Sequence, residues 1–158
     1  MDRRGDAKSR EMMLDELLGY DHVTIQCHDN PDADAIASGY GLYCFFRDKG
    51  KDVRLLYAGR NKVRKANLTL MVEKLGIPLE YLAHPGEEPV DGLLITVDCQ
   101  YGAGNVMKIP AEEIAVIDHH PLEVICTERM RLQPNIESCP TLLWTMLPEM
   151  HYPVEKNR

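Results

Sequence analysis

Three short apolar runs, each followed at once by acidic or histidine side chains, constrain the fold of this 158-residue chain more than any other feature. The runs lie at His22–Cys27, Gly92–Asp98 and Glu113–Asp118. Their lengths and apolar content predict β-strands, and the last two are typical of strands buried on both faces of a sheet. Ligands of open parallel sheets bind beyond the carboxyl ends of the strands, so these runs predict the place of a site as well as a fold.

Helical segments alternate with the strands along the chain. Two more strands are predicted at 52–57 and 79–82, and helices are predicted at 9–19, 33–49, 66–75 and 141–150. Gly50 and Gly76 mark the ends of two helices, and Ser138 is the expected cap of the last one. This alternation predicts an α/β domain built on a parallel, doubly wound sheet with helices on both faces.

The composition narrows the function. The chain has 18 basic and 25 acidic residues, a formal net charge of −7, which argues against binding duplex nucleic acid through bulk electrostatics but leaves room for a nucleotide site. Its five cysteines include no Cys-x-x-Cys pair, which favours a reducing cytoplasm over a disulfide framework or a zinc ribbon. No apolar run has the length of a membrane span, so no membrane partner is expected.

Two of the polar clusters leave alternatives open when taken singly. The loop after the first strand carries His28, Asp32 and Asp34, and a tight Asn-Pro turn there could aim all three at one place. The alternative treats Asp32 as a turn or helix-cap residue and His28 as incidental. Asp98 ends a buried strand, so its charge needs a partner, which could be a metal, a lysine or a helix N-terminus.

The third cluster, Asp118-His119-His120, closes another apolar strand just before Pro121. Adjacent residues of an extended chain point to opposite sides, so one histidine could bind a metal while the other faces a phosphate. An exposed polar loop is the alternative for a lone histidine pair, but three such clusters at successive strand ends disfavour it. Carboxylates mixed with imidazoles suit Mn²⁺ or Mg²⁺, and the histidines favour Mn²⁺.

Two such ions, about 3.5–4 Å apart, could share a carboxylate and clamp a phosphoryl group during attack by water. Asp98 is the expected bridge because it ends a central strand between the other two clusters.

The motifs His28-x-Asn-Pro-Asp32-x-Asp34, Leu-Ile-Thr-Val-Asp98 and Val-Ile-Asp118-His119-His120-Pro closely resemble the DHH phosphoesterase superfamily, in its nano-RNase and RecJ-like branch. The resemblance implies a DHH lobe with two Mn²⁺ ions. It assigns metal-ligand positions to five residues: His28, Asp32, Asp34, Asp98 and His119. It places His120 opposite the scissile phosphate, so the candidate catalytic residues are His120 and the bridging Asp98, with Asp118 in a supporting position. The segment Cys99-Gln100-Tyr101-Gly102 departs from the pattern, since many relatives carry small residues and an arginine there.

The expected function is hydrolysis of phosphoester bonds in a small nucleotide: a short oligonucleotide, a dinucleotide or a nucleoside bisphosphate. Inorganic pyrophosphatase activity on the same lobe is one alternative, and an inactive metal- or nucleotide-binding fragment is another. The expected partner is a small nucleotide or short single-stranded nucleic acid, with a homodimer as a candidate assembly.

Members of this branch carry a further aspartate ligand downstream and a second lobe, DHHA1, whereas Asp118 is the last aspartate here. Residues 1–158 are therefore expected to form a single, truncated DHH-type domain with slow or no turnover on its own.

Overall fold

A parallel β-sheet organises the domain. The computed structural model describes Met12, residues 14–134 and residues 136–149. Within these residues the strands are β1 (His22–Gln26), β2 (Asp52–Ala58), β3 (Leu79–Leu82), β4 (Val90–Val97), β5 (Ala111–Asp118) and β6 (Met130–Leu132). The helices are α1 (Ala33–Asp48), α2 (Ala66–Leu75) and α3 (Cys139–Glu149). The α/β class and the strands predicted from the sequence are confirmed.

All the strand pairings are parallel, in the order β3-β2-β1-β4-β5-β6. The chain moves outward in one direction from β1 to β3, then returns to the other side of β1 with β4. The strand order therefore reverses between β1 and β4, and in doubly wound sheets the ligand crevice opens at such a point, beyond the carboxyl ends of the strands. His28 and Asp98 follow the two strands on either side of it.

The helices in the described residues pack against one face of the sheet. There the α1 side chains Leu42, Phe45 and Phe46 are buried with β-strand residues such as Ile25 and Ile95, and α2 and α3 contribute to the same core. Truncating either phenylalanine should cost about 3–5 kcal/mol. The second face is covered by the connections that follow β4 and β5, through two smaller apolar clusters. Both faces are therefore covered, but with loops rather than helices on the second.

Two further details differ from the sequence expectations. The helix predicted at 9–19 falls partly on residues outside those described, and the described part holds a short 3₁₀ helix at Leu14–Leu17. Strand β6 was not predicted, because three residues with a central arginine carry no readable alternation. Its pairing with β5 makes it a strand. Ser138 does cap α3, since its hydroxyl accepts a hydrogen bond from Thr141 N at 3.3 Å.

At Gly92 the backbone of β4 lies very close to the backbone of β1. Its φ of +68° is unfavourable for other residues, and an added Cβ would overlap the backbone oxygen of His22. Gly92→Ala should therefore lower the free energy of unfolding by at least about 1–3 kcal/mol in chemical denaturation. Gly19→Ala is the control, because nothing lies within 4 Å of a Cβ there. Equal stability of the two variants would contradict this account of the β1–β4 contact.

Candidate metal centre

The predicted site residues other than Asp34 converge at the carboxyl ends of β1, β4 and β5. Two groups of side chains each have ligand atoms within 4.8 Å of one another. One group is His28, Asp32 and Asp98, and the other is Asp98, Asp118, His119 and His120. Asp98 belongs to both, so a single carboxylate joins the loop after β1 to the triplet after β5.

Asp98 is held in an unusual backbone conformation. Its φ is +60°, and among the described residues it is the only one other than glycine with a positive φ. Aspartate tolerates this left-handed region better than most residues do. Its N–H donates to Ile117 O at 3.0 Å, which holds the turn against β5. The side chain is 4% exposed, with Oδ1 3.0 Å from His119 Nε2 and Oδ2 3.8 Å from His28 Nε2.

The His119 ring lies between Asp98 and a backbone carbonyl, with one nitrogen near each. Its Nδ1 lies 3.3 Å from Ile136 O, and a carbonyl oxygen only accepts, so Nδ1 carries the proton in this contact. In the neutral ring Nε2 then carries no proton, and Asp98 Oδ1 is buried without a hydrogen-bond donor. Nε2 and Oδ1 thus lie 3.0 Å apart without a hydrogen bond between them. A cation near both atoms would compensate the buried carboxylate, and a carbonyl that fixes the tautomer is typical of a metal-binding histidine. The residues fit a divalent metal.

Asp32 combines the two roles that the sequence left open. It is the N-cap of α1, where Oδ1 accepts a hydrogen bond from Ala35 N at 2.9 Å. The same oxygen lies 3.8 Å from His28 Nε2. The cap holds the carboxylate beside His28 and Asp98, so the helix start and the candidate metal group are one structure.

Asp34 is the predicted ligand that the structure leaves apart. It lies in the first turn of α1, where it is exposed and belongs to neither group within the described part of the chain. Its backbone oxygen accepts a hydrogen bond from Ser38 Oγ at 2.7 Å. Its role as a ligand stays a prediction.

Asp118 supports the two histidines. It is 1% exposed, and its Oδ1 accepts hydrogen bonds from His119 N at 2.8 Å and from His120 Nδ1 at 2.7 Å. The expectation that the two rings point to opposite sides is wrong, since their centroids are 4.2 Å apart. Strand β5 ends at Asp118 and the chain bends there, so extended-chain alternation no longer applies.

Burial raises the pKa values of several acidic groups in and beneath the site. It raises the pKa of Asp98, and the nearby Asp32 and Asp118 carboxylates add to that rise, while His119 and His28 oppose it. Burial also raises the pKa of the Cys27 thiol, and it raises that of Cys139 to about 12. These thiols stay protonated near neutral pH, which agrees with a ligand set of carboxylates and imidazoles.

The DHH family model, described as the N-terminal domain of that family, matches residues 22–156. The chain belongs to the DHH family. DHH proteins are metal-dependent phosphoesterases, and the convergence of the polar clusters on Asp98 agrees with that chemistry. No curated protein matches the chain.

A crystal structure of an exopolyphosphatase-related protein from Bacteroides fragilis is similar in fold, with a TM-score of 0.63 and 19% sequence identity. The match covers 88% of this DHH chain and 43% of the other, so the chain spans less than half the length of that protein. Among the described residues, no helix is long and apolar enough to cross a membrane.

Asp98→Asn should have opposite effects on stability with and without metal. Because burial raises the pKa of Asp98, the folded protein binds more protons here than the unfolded chain, and this contribution to stability is lost as pH rises through the folded pKa. The neutral amide avoids that loss and can donate to His119 Nε2. We expect the metal-free variant to be more stable than the parent by about 1 kcal/mol near neutral pH.

The advantage should shrink as pH falls toward the ordinary carboxyl range. Saturating Mn²⁺ should make the parent more stable than the variant. A free ligand at about 100 times its Kd adds about 2.7 kcal/mol to the free energy of unfolding of a protein that binds it. Thermal denaturation at several pH values, with and without Mn²⁺, measures both effects. Equal stabilisation of parent and variant by Mn²⁺ would remove Asp98 from the metal site.

Proposed function

We propose that this DHH domain hydrolyses phosphoester bonds of a small nucleotide with the help of two Mn²⁺ ions that share Asp98. The observation that supports this most directly is the buried Asp98 carboxylate, which lies between His28 and His119 and belongs to both groups of candidate ligands. Mn²⁺ is favoured over Mg²⁺ because imidazole nitrogens stand beside the carboxylates.

Each group would hold one ion on this proposal. His28 and Asp32 would serve the first and His119 the second, with Asp98 common to both and Asp34 completing the set after a side-chain rotation. Bound divalent ions would activate the attacking water and neutralise charge that develops on the phosphoryl oxygens. The residues that hold them are ordered beforehand, Asp32 by the α1 cap and His119 by Ile136.

His120 would act on the substrate. Its Nδ1–H donates a hydrogen bond to Asp118, so Nε2 is the nitrogen left for the substrate. The side chain is 46% exposed. In the protonated ring Nε2–H would donate to a phosphoryl oxygen and place a positive charge beside it. The buried Asp118 carboxylate would stabilise that charge, and proton donation of this kind contributes about 10²–10⁴-fold to rate.

The preferred substrates are those of the nano-RNase and RecJ-like branch: short single-stranded oligonucleotides, dinucleotides or nucleoside bisphosphates. Phosphoanhydrides such as pyrophosphate or polyphosphate are the second candidate, which the exopolyphosphatase-related protein of similar fold favours. A third possibility is a metal-binding lobe that is active only with further sequence.

A parallel assay separates these proposals. The 158-residue chain and any longer natural form would be incubated with Mn²⁺ and, in turn, a dinucleotide, a nucleoside bisphosphate, pyrophosphate and polyphosphate. We expect Mn²⁺-dependent cleavage of a nucleotide ester, with faster turnover in the longer form. Cleavage of phosphoanhydrides alone would favour the second candidate. Absence of ester cleavage in both forms, with Mn²⁺ bound, would refute the proposed function.

His120→Ala and His119→Ala separate catalysis from metal binding. Removing His120 should lower kcat by about 10²–10⁴-fold. The Mn²⁺ affinity should stay nearly unchanged, because on this proposal the His120 ring is held by Asp118 and does not coordinate the metal. Removing His119 should weaken Mn²⁺ binding by more than the about 10–100-fold typical of losing an outer partner of a metal site. Titration calorimetry and steady-state kinetics measure the pair. Equal loss of Mn²⁺ in both variants would show that His120 is a ligand too.

A further inference from the structure

Gln100, which departs from the family pattern at the sequence level, is completely hydrogen-bonded beneath the DHH triplet. It is 1% exposed. Its amide nitrogen donates to Asp118 Oδ2 at 3.0 Å and to Pro121 O at 2.9 Å. Its amide oxygen accepts from Glu123 N at 2.8 Å and from Val124 N at 3.3 Å. One side chain thus joins the loop after β4 to the carboxylate of Asp118 and to the loop after β5.

These partners require an amide at this position. The carboxylate and the Pro121 carbonyl only accept hydrogen bonds, whereas the two backbone N–H groups only donate. A glutamate would bring a second charge against Asp118 in a buried place, and an apolar residue would leave four polar groups without partners. Asparagine has the same amide but is one methylene shorter.

The hydrogen bonds continue from Gln100 to His120. Gln100 occupies Oδ2 of Asp118, which leaves Oδ1 for the His119 N–H and the His120 Nδ1–H. We propose that Gln100 is a positioning residue that orients Asp118 and, through it, the imidazole of His120. This inference rests on the proposed function, because the role of His120 is the one given to it there.

The position of Gln100 separates its effect from metal binding. Among the candidate ligand groups its side-chain hydrogen bonds reach Asp118 alone within the described residues, and the His119 ring is held from another side by Ile136. The expected signature of its loss is therefore a misplaced His120 beside a metal site that still binds.

The first test uses nuclear magnetic resonance on the metal-free 158-residue chain and needs no substrate. The Nδ1–H proton of His120 should give a protected, downfield signal in the parent protein, assigned by its absence in His120→Ala. Gln100→Met, which has similar length and volume, should broaden that signal beyond detection. Tyr101→Phe is the matched control, because it removes a partly buried hydrogen bond from the same loop, to Ile109 O at 2.8 Å, without touching Asp118. That control should retain the signal.

The second test measures kinetics and Mn²⁺ affinity on whichever form turns over a substrate. Gln100→Met should lower kcat by about 10–100-fold, as expected for an outer partner of an active site, and leave the Mn²⁺ affinity close to that of the parent. In a His120→Ala background the same substitution should change kcat little, since residues that act as a unit are not additive.

An unchanged His120 signal in folded Gln100→Met would overturn the inference, as would an equal loss of signal in Tyr101→Phe. Full additivity with His120→Ala would do the same. If Gln100→Met does not fold, Gln100→Asn takes its place, with the same loss of signal expected because its amide cannot span all four partners. The resonance test decides the inference even without turnover, so a failed assay would weigh against the proposed function alone.

Discussion

A carboxylate buried at the end of a central strand has to be compensated, because an unpaired charge in a protein interior costs several kcal/mol. Asp98 is such a group, with one oxygen that has no hydrogen-bond donor in the described structure. Burial and, after it, the nearby carboxylates raise the pKa of Asp98. Two imidazoles lie close to it, and the nearer one, that of His119, forms no hydrogen bond with this oxygen. A divalent cation would balance the charge at this edge of the sheet.

The topology explains why this charge can exist. The strand order reverses between β1 and β4, and doubly wound sheets bind their ligands beyond the carboxyl ends of the strands at such a point. His28 and Asp98 follow these two strands, and β5 brings the histidines to the same level. A turn with a left-handed backbone at Asp98 then places the carboxylate between His28 and His119. Its left-handed backbone is held by a hydrogen bond to Ile117, so the sheet itself maintains the strain.

Around this centre, orientation depends on a second set of buried polar groups. Asp118 accepts three hydrogen bonds from its neighbours, and Ile136 directs the ring of His119. Such networks are favourable only when every member is satisfied, and here the buried glutamine satisfies the last oxygen of Asp118. Loops rather than helices cover the second face of the sheet. Gln100 reaches this network from one of them, the loop after β4.

The sequence by itself determined the parallel α/β fold, most of the strands and helices, and the residue types at the strand ends. These features depend on neighbours a few positions apart, as in the Asp32 cap of α1, and so can be read locally. The family motifs predicted Asp98 and the histidines as site residues for the same reason, since each motif is a short stretch of sequence. The tertiary structure alone decided the pairing of β6, the close approach of the two tilted histidine rings, and the exposed place of Asp34. It also decided the link from Gln100 to Asp118, 18 residues away, since strand pairing and loop closure bring such groups together and no local pattern records them.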